Sequence, residues 1–258
     1  MPARGTTTQR LAAIGAVVAF VLAVFFTVLA VNDSGERDRG DRAGGTAART
    51  EDTEQRRLQE RLARETARRT EGDPLAVGRR DAPVVLVEYA DYQCSYCGRF
   101  ARETKPELIE KYVERGLLRI EFRNFTVFGE DSERAARASW AAGRQGRFWE
   151  FHDELFATTR KGDALAEDEL TEVARRVGVP DPDRFRRDMN GDAAAAALKE
   201  DQEQGYRLGV QSTPSFLING RPVAGAQPTS VFAETIDEAA AAAAAADAAG
   251  RPGGADRR

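Results

Sequence analysis

Residues 11–31 are apolar without a break, relieved only by small side chains and Thr27. Residues 32–80 then carry Arg, Glu, Asp, Gly and Thr with almost no aromatic side chain. Asp81-Ala82-Pro83 opens a nearly continuous apolar run over 84–89, which predicts a central strand covered on both faces. A helix is predicted from Cys97 to about Arg115, with Phe100, Leu108, Ile109 and Tyr112 toward the core. Pro106 should kink it and Gly116 end it. Residues 118–122 read as a second strand, parallel to the first through this crossover.

From about 130 to 209 the spacing of apolar residues turns helical, over 132–145, 147–158, 167–177 and 192–208, with Pro180, Pro182 and Gly191 as punctuation. The strand pattern resumes at 215–218. Asn219-Gly220 is a tight-turn signal, and Arg221-Pro222-Val223 begins a returning strand whose proline suits a sheet edge. Residues 228–246 form a final helix, which the alanine run 239–249 extends and Gly250 with Pro252 stops. The sum is a small mixed sheet with helices on both sides and a helical insertion.

The apolar run is 21 residues long, enough to span a bilayer as a helix. Arg4 and Arg10 precede it and no acid does, so residues 1–10 are expected to stay cytoplasmic and the rest to lie outside. A cleavable signal peptide is the competing reading, with Val28-Leu29-Ala30 as a weak cleavage site. The run exceeds a usual signal core, so an uncleaved signal anchor is preferred. Either reading exports the domain to a compartment that permits disulfides. Residues 32–73 are expected to be a polar stalk, solvated and partly helical over 51–70. Residues 74–246 are the folded domain, with the insertion at about 130–209, and 247–258 a disordered tail. Net charge is −4 with no basic stripe, which argues against a nucleic-acid partner.

Cys94 and Cys97 are the only cysteines, two residues apart, at the junction of the first strand and the following helix. A helix start offers unpaired N–H groups and partial positive charge, both of which favour a thiolate. This is the thioredoxin-like redox arrangement. A structural zinc site would need more ligands than one histidine, His152, and two cysteines supply. A purely structural disulfide closing so small a loop would remove little unfolded-state entropy. No metal and no cofactor are expected.

Four motifs together resemble the DsbA-like thiol–disulfide oxidoreductases of the thioredoxin superfamily, in their membrane-anchored bacterial branch. They are Asp81-Ala82-Pro83-Val84 through Glu88-Tyr89 leading to Cys94-Ser95-Tyr96-Cys97; Trp140-Ala141-Ala142-Gly143 with Gly146-Arg147-Phe148-Trp149-Glu150-Phe151-His152-Asp153; Gly209-Val210-Gln211-Ser212-Thr213-Pro214-Ser215-Phe216; and Asn219-Gly220. The resemblance covers about 74–246 and implies a thioredoxin-like α/β fold with a helical insertion, preceded by a single transmembrane helix.

On these positions it implies that Cys94 is the exposed nucleophile and Cys97 its buried partner. Glu88 would be a buried acid relaying protons to Cys97, with a pKa raised by desolvation. Thr213-Pro214 would be a cis peptide, leaving the Thr213 backbone to pair with an extended substrate. Thr213, Pro214 and Tyr96 are the expected substrate-binding residues. Asp91 reads as a solvated loop acid and His152 as structural. Strong oxidants of the family often carry proline and histidine between the cysteines. Here Ser95 and Tyr96 stand there, which implies a milder oxidant. The implied function is oxidation of cysteine pairs in exported proteins, with a membrane quinone-linked partner of the DsbB or vitamin K epoxide reductase-like type as electron acceptor. A reductase or isomerase on the same fold is the alternative, and a non-enzymatic, membrane-tethered peptide-binding module a third.

Overall fold

The computed structural model describes residues 41–250. The apolar run 11–31 and the residues from 251 onward lie outside them. Among the described residues no helix is long and apolar enough to cross a membrane.

Five strands form one sheet: β1 (Ala76–Val77), β2 (Val84–Ala90), β3 (Leu118–Asn124), β4 (Ser215–Ile218) and β5 (Arg221–Ala224), in the spatial order β1-β3-β2-β4-β5. β2 and β3 run parallel, with Leu86 opposite Ile120 and Glu88 opposite Phe122. The other three pairings are antiparallel. All seven residues of β2 are buried, Glu88 among them, as its nearly continuous apolar run predicts. β5 and its Pro222 lie at an edge, where a missing N–H costs no ladder bond. The two-residue β1 is too short to leave a sequence signal.

Between β2 and β3 the chain crosses over through one helical stretch in four pieces. They are α2 (Ser95–Arg99), a π turn (Phe100–Thr104), α3 (Lys105–Leu108) and a second π turn (Ile109–Val113). The π turns are how the helix carries Pro106. The Lys105 N–H reaches back five residues to the Phe100 carbonyl, which widens the turn where a proline ring would otherwise crowd the preceding backbone. Phe100, Leu108 and Tyr112 are buried and Ile109 is half-buried.

The insertion consists of α4 (Glu130–Gly143), α5 (Phe148–Ala157), a 3-10 turn (Gly162–Leu165), α6 (Glu167–Arg176), α7 (Pro182–Asn190) and α8 (Asp192–Arg207). The segment read as punctuation around Pro182 is in fact α7. Pro182 occupies its first turn, where no N–H is required, and the Asp181 side chain caps it by accepting from the Arg184 N–H. The last described element is α9 (Thr229–Gly250), extended through the alanine run as expected; residues 247–250, assigned to a disordered tail, are its last turn because alanine continues the helix there.

Strand alternation sorts the core. Val84 and Leu86 face Phe100, Leu108, Phe216, Phe232 and Ile236, while Val85, Val87 and Tyr89 face the other way, with Phe125 and Leu217. A third cluster joins Phe122 and both cysteines to Phe148, Phe151 and Phe156 of the insertion. Trp149 packs against this cluster and against the first.

The segment 55–73, assigned to the stalk from its polarity, is part of the folded unit at its C-terminal end. Helix α1 (Asp41–Thr66) is exposed over most of its described side chains. Its last turn and the residues after it are anchored. The backbone N–H groups of Arg68 and Arg69 each donate to the Glu121 carboxylate at 2.9 Å, and Arg68 pairs with Asp201 at 2.5 Å. Gly220 abuts the backbone of Gln59 and Ala63, leaving no room for a side chain there. Polarity misled here because these contacts are ionic rather than apolar.

Candidate functional site

The turn after β2 sets the cysteines. Asp91 folds it: its carbonyl accepts from the Cys94 N–H at 3.0 Å and its carboxylate from the Gln93 N–H at 2.8 Å. Cys94 is thereby the N-cap of α2, with an extended backbone. Its sulfur accepts from the Cys97 N–H at 3.4 Å, the position a capping oxygen takes in other helices. Both cysteines are free thiols. Cys97 is fully enclosed and Cys94 is 6 % exposed, so the outer sulfur is barely open rather than prominent.

The two thiols differ in acidity. The adjoining Cys97 thiol, with the Thr213 side chain and the backbone N–H groups of Cys97 and Tyr96, holds Cys94 down to about 6 against the opposing effect of burial. Burial, then the hydrogen bond and charge of Cys94, pushes Cys97 far up. The Thr213-Pro214 peptide is cis. The Thr213 carbonyl lies 3.3 Å from the Cys94 sulfur and accepts from its thiol, so in this reduced form it is engaged by Cys94. Cys94, Ser95, Tyr96, Gln93, Phe128, Lys161 and Thr213 line a cleft of about 280 Å³. Tyr96 is exposed in it, and Pro214 is buried beside it. A larger cleft between residues 107–112 and 229–238 contains neither cysteine.

Glu88 is fully buried, on the face of β2 that carries Val84 and Leu86. Neither carboxylate oxygen has a hydrogen-bond partner among the described residues. Burial raises its pKa to about 8, with Lys105 opposing and the charges of Asp153 and Cys94 adding to the rise.

Sequence reasoning missed Lys105, a buried ammonium in α3 paired with Asp153. Its nitrogen lies 3.2 Å from His152 Nδ1 and 4.7 Å from the centre of the Trp149 ring. His152 Nδ1 is 2.8 Å from Asp153. Burial first, then Lys105, lowers the histidine to about 4, so it is neutral at ordinary pH. A lysine beside a proline in an amphipathic helix gives no signal of being buried. The expectation that Asp91 is solvated is wrong. It is 1 % exposed, and its carboxylate also accepts from the N–H groups of Val127 and Phe128 and from the Ser132 hydroxyl. Proximity to a loop concealed that a second loop folds over it. Among the described residues no three His, Cys, Asp or Glu side chains gather as a metal site would require.

Comparison with known proteins adds the family. A family model described as thioredoxin matches residues 70–238. The chain belongs to the thioredoxin family. Among thioredoxin-family relatives, the probable disulfide bond formation protein D of Bacillus cereus is 30% identical over 150 residues, covering 56% of this chain and 69% of that protein. A solved thioredoxin-like oxidoreductase from Silicibacter pomeroyi superposes with a TM-score of 0.57 at 29% identity, over 66% of this chain and 98% of that one. Oxidised BdbD from Bacillus subtilis shares the fold at a TM-score of 0.61 and 24% identity, over 66% of this chain and 94% of that one. This thioredoxin-family chain is a DsbA-like thiol–disulfide oxidoreductase.

Proposed function

We propose that the protein oxidises pairs of cysteines in exported proteins, with Cys94 as the sulfur attacked and Cys97 as the sulfur released. The observation that carries this reading is the placing of the two sulfurs: Cys94 caps α2 and its sulfur accepts the Cys97 N–H at 3.4 Å, while Cys97 is fully enclosed behind it, so the thiolate is favoured on Cys94 and disfavoured on Cys97. A substrate thiolate attacks Cys94 of the enzyme disulfide; the Cys94–Cys97 bond breaks and its electron pair leaves on Cys97, which takes a proton. In this reading Glu88, its pKa raised to about 8 by burial and coupled electrostatically to both sulfurs, supplies it. A second substrate thiol, losing its proton, then attacks the first substrate sulfur. The substrate disulfide forms and Cys94 leaves as its stabilised thiolate. Two substrate thiols are oxidised and one enzyme disulfide is reduced.

A stable leaving thiolate makes the reduced enzyme favourable and the oxidised one a stronger oxidant. Thr213, Pro214 and Tyr96 hold the substrate as an extended segment, its backbone taking the Thr213 groups that Cys94 now engages. Residues 11–31 anchor the chain in the membrane, with residues 32–73 as the connecting segment and the catalytic domain outside. A membrane quinone-linked partner of the DsbB or vitamin K epoxide reductase-like type returns the enzyme to the disulfide form.

The test is the reduction potential of the purified chain in a glutathione series. A value near about −120 to −180 mV supports an oxidase or isomerase, and one near about −270 mV assigns a reductase and reverses the flow.

A further inference from the structure

Thr213, whose carbonyl meets the Cys94 sulfur, follows closely on the end of α8. The join is short and tied down along its length. The Val210 N–H returns to the Gly205 carbonyl at 3.0 Å, and the Ser215 hydroxyl donates to the Ser212 carbonyl at 2.7 Å. Leu208 and Val210 pack against the cluster of Val85, Val87, Tyr89 and Phe125. With so little slack, the place that α8 takes on the sheet sets the place of Thr213.

Two kinds of contact hold α8 there. Gly205 admits the Phe125 ring, which a Cβ at that position would meet at 2.7 Å. Such apolar contact is non-directional and leaves a helix free to settle in more than one register. The second kind is directional. One oxygen of the buried Asp201 carboxylate accepts the Asn124 N–H at the end of β3 at 2.9 Å, and the other accepts from the Arg68 guanidinium at 2.5 Å. The Gln204 side-chain oxygen accepts from the Tyr89 hydroxyl at 2.8 Å and from Arg123 at 3.2 Å, and its amide donates to the Glu65 carbonyl at 3.4 Å. Arg123 also donates to the Thr66 carbonyl at 3.1 Å, and Glu121 takes the N–H groups of Arg68 and Arg69. Residues 65–69 thus bond to α8 and to β3 at once and pin one to the other.

We infer that Arg68 is a positioning residue for the substrate: through Asp201 and α8 it places the Thr213 backbone for an extended client segment. The polar segment that leads into the domain is then part of the substrate-binding apparatus and not only a connector. The inference rests on the oxidoreductase reading and on the Thr213 pairing proposed with it. The chemistry is unchanged: the client sulfur bonds to Cys94 as the Cys94–Cys97 bond breaks and its electron pair leaves on Cys97. Arg68 touches neither sulfur, so it acts on the reaction of a thiol that carries a peptide backbone and not on that of a thiol without one.

The experiment opens the disulfide of the oxidised full-length chain with two thiols and compares the rates at equal thiolate concentration. One is an alanine–serine peptide with a single central cysteine; the other is β-mercaptoethanol, which has no backbone to pair. In the parent the peptide is expected to react about tenfold faster, the worth of one or two backbone hydrogen bonds. Arg68→Ala should lose most of that advantage and leave the β-mercaptoethanol rate unchanged. Arg68→Lys, which keeps a charge for Asp201, should restore part of it. Asp201→Asn, which keeps an acceptor for Asn124 but no charge for Arg68, should lose part of it. All rates are taken at a temperature where thermal unfolding shows each variant folded. A merely structural Arg68 would lower the unfolding temperature and leave the ratio of the two rates at the parent value, and that result overturns the inference. Should Arg68→Ala not fold, Gln204→Met, which keeps the bulk on α8 and loses only the amide bonds, decides in the same way. No peptide advantage in the parent overturns the Thr213 pairing and the inference with it, while the β-mercaptoethanol reaction upholds the oxidoreductase. Failure of both thiols to open the disulfide overturns the oxidoreductase reading itself.

Discussion

Glu88 is the residue most at odds with its surroundings, a carboxyl with two unpartnered oxygens inside a sheet. Its environment favours the neutral form, and that has a definite pH signature. The folded pKa, about 8, stands above the ordinary 4.5, so between those values the folded chain keeps a proton that the unfolded chain releases. The associated stability is whole below the lower value and is lost as pH rises through about 8. His152 slopes the other way. Lowered to about 4 from 6.5, it costs stability as pH falls across that range. The informative comparison is therefore parent against Glu88→Gln, in which the side chain is always neutral. The variant's stability advantage should grow between about pH 5 and pH 8, by an amount on the order of a few kcal/mol. Urea unfolding of the reduced proteins at the two pH values checks it, and an advantage that does not change with pH would mean a carboxyl open to water. Glu88 was legible from its place in an apolar strand six residues before Cys94. Lys105 was not, because its burial is decided by the face of a helix that packs on that strand.

At the scale of elements, β3 is held by charge as much as by apolar contact. Glu121 lies between Arg119 at 2.8 Å and Arg123 at 2.7 Å, all three buried. Burial would raise the Glu121 pKa, but Arg123, Arg119 and the Arg68 N–H outweigh it and bring the carboxyl to about 2. The two N–H groups from Arg68 and Arg69 complete this set. A chain beginning at Pro74 lacks them, together with the Arg68–Asp201 pair. It should be less stable than one beginning at Gln55 by about 3–5 kcal/mol, the cost of leaving buried charge without its partner. Thermal unfolding of the two chains at neutral pH measures the difference; equal stability would make residues 55–73 a mere connector. The sequence hides this boundary because a polar segment that folds through ion pairs has the composition of one that does not fold. It hides α7 for a related reason: proline reads as a breaker, yet is favoured in a first turn.

For the whole molecule, the helical insertion and the sheet share material rather than merely adjoining. Trp149 packs against the apolar cluster on either side of it, and Phe122 of β3 belongs to the cluster that includes Phe148 and Phe151. The domain from Gln55 should therefore unfold in one transition, with tryptophan fluorescence and far-ultraviolet circular dichroism giving coincident curves in denaturant. Separate midpoints would show that the insertion melts alone. The order of strands and helices, the parallel crossover and the return through Asn219-Gly220 follow from periodicity and turn chemistry. The convergence of Asp91, Phe128 and Tyr96 on Cys94 does not, since it depends on where two loops meet. The sheet's margins carry a last consequence. One margin is a strand of two residues, and the other is β5, whose Pro222 has no N–H to offer and whose Arg221 is charged and exposed. On the proposed function the protein would work beside unfolded chains with strands seeking partners, and these margins give such strands almost nothing to extend. If Thr213 takes a client's backbone as proposed, the fold would do so without becoming the seed on which clients aggregate.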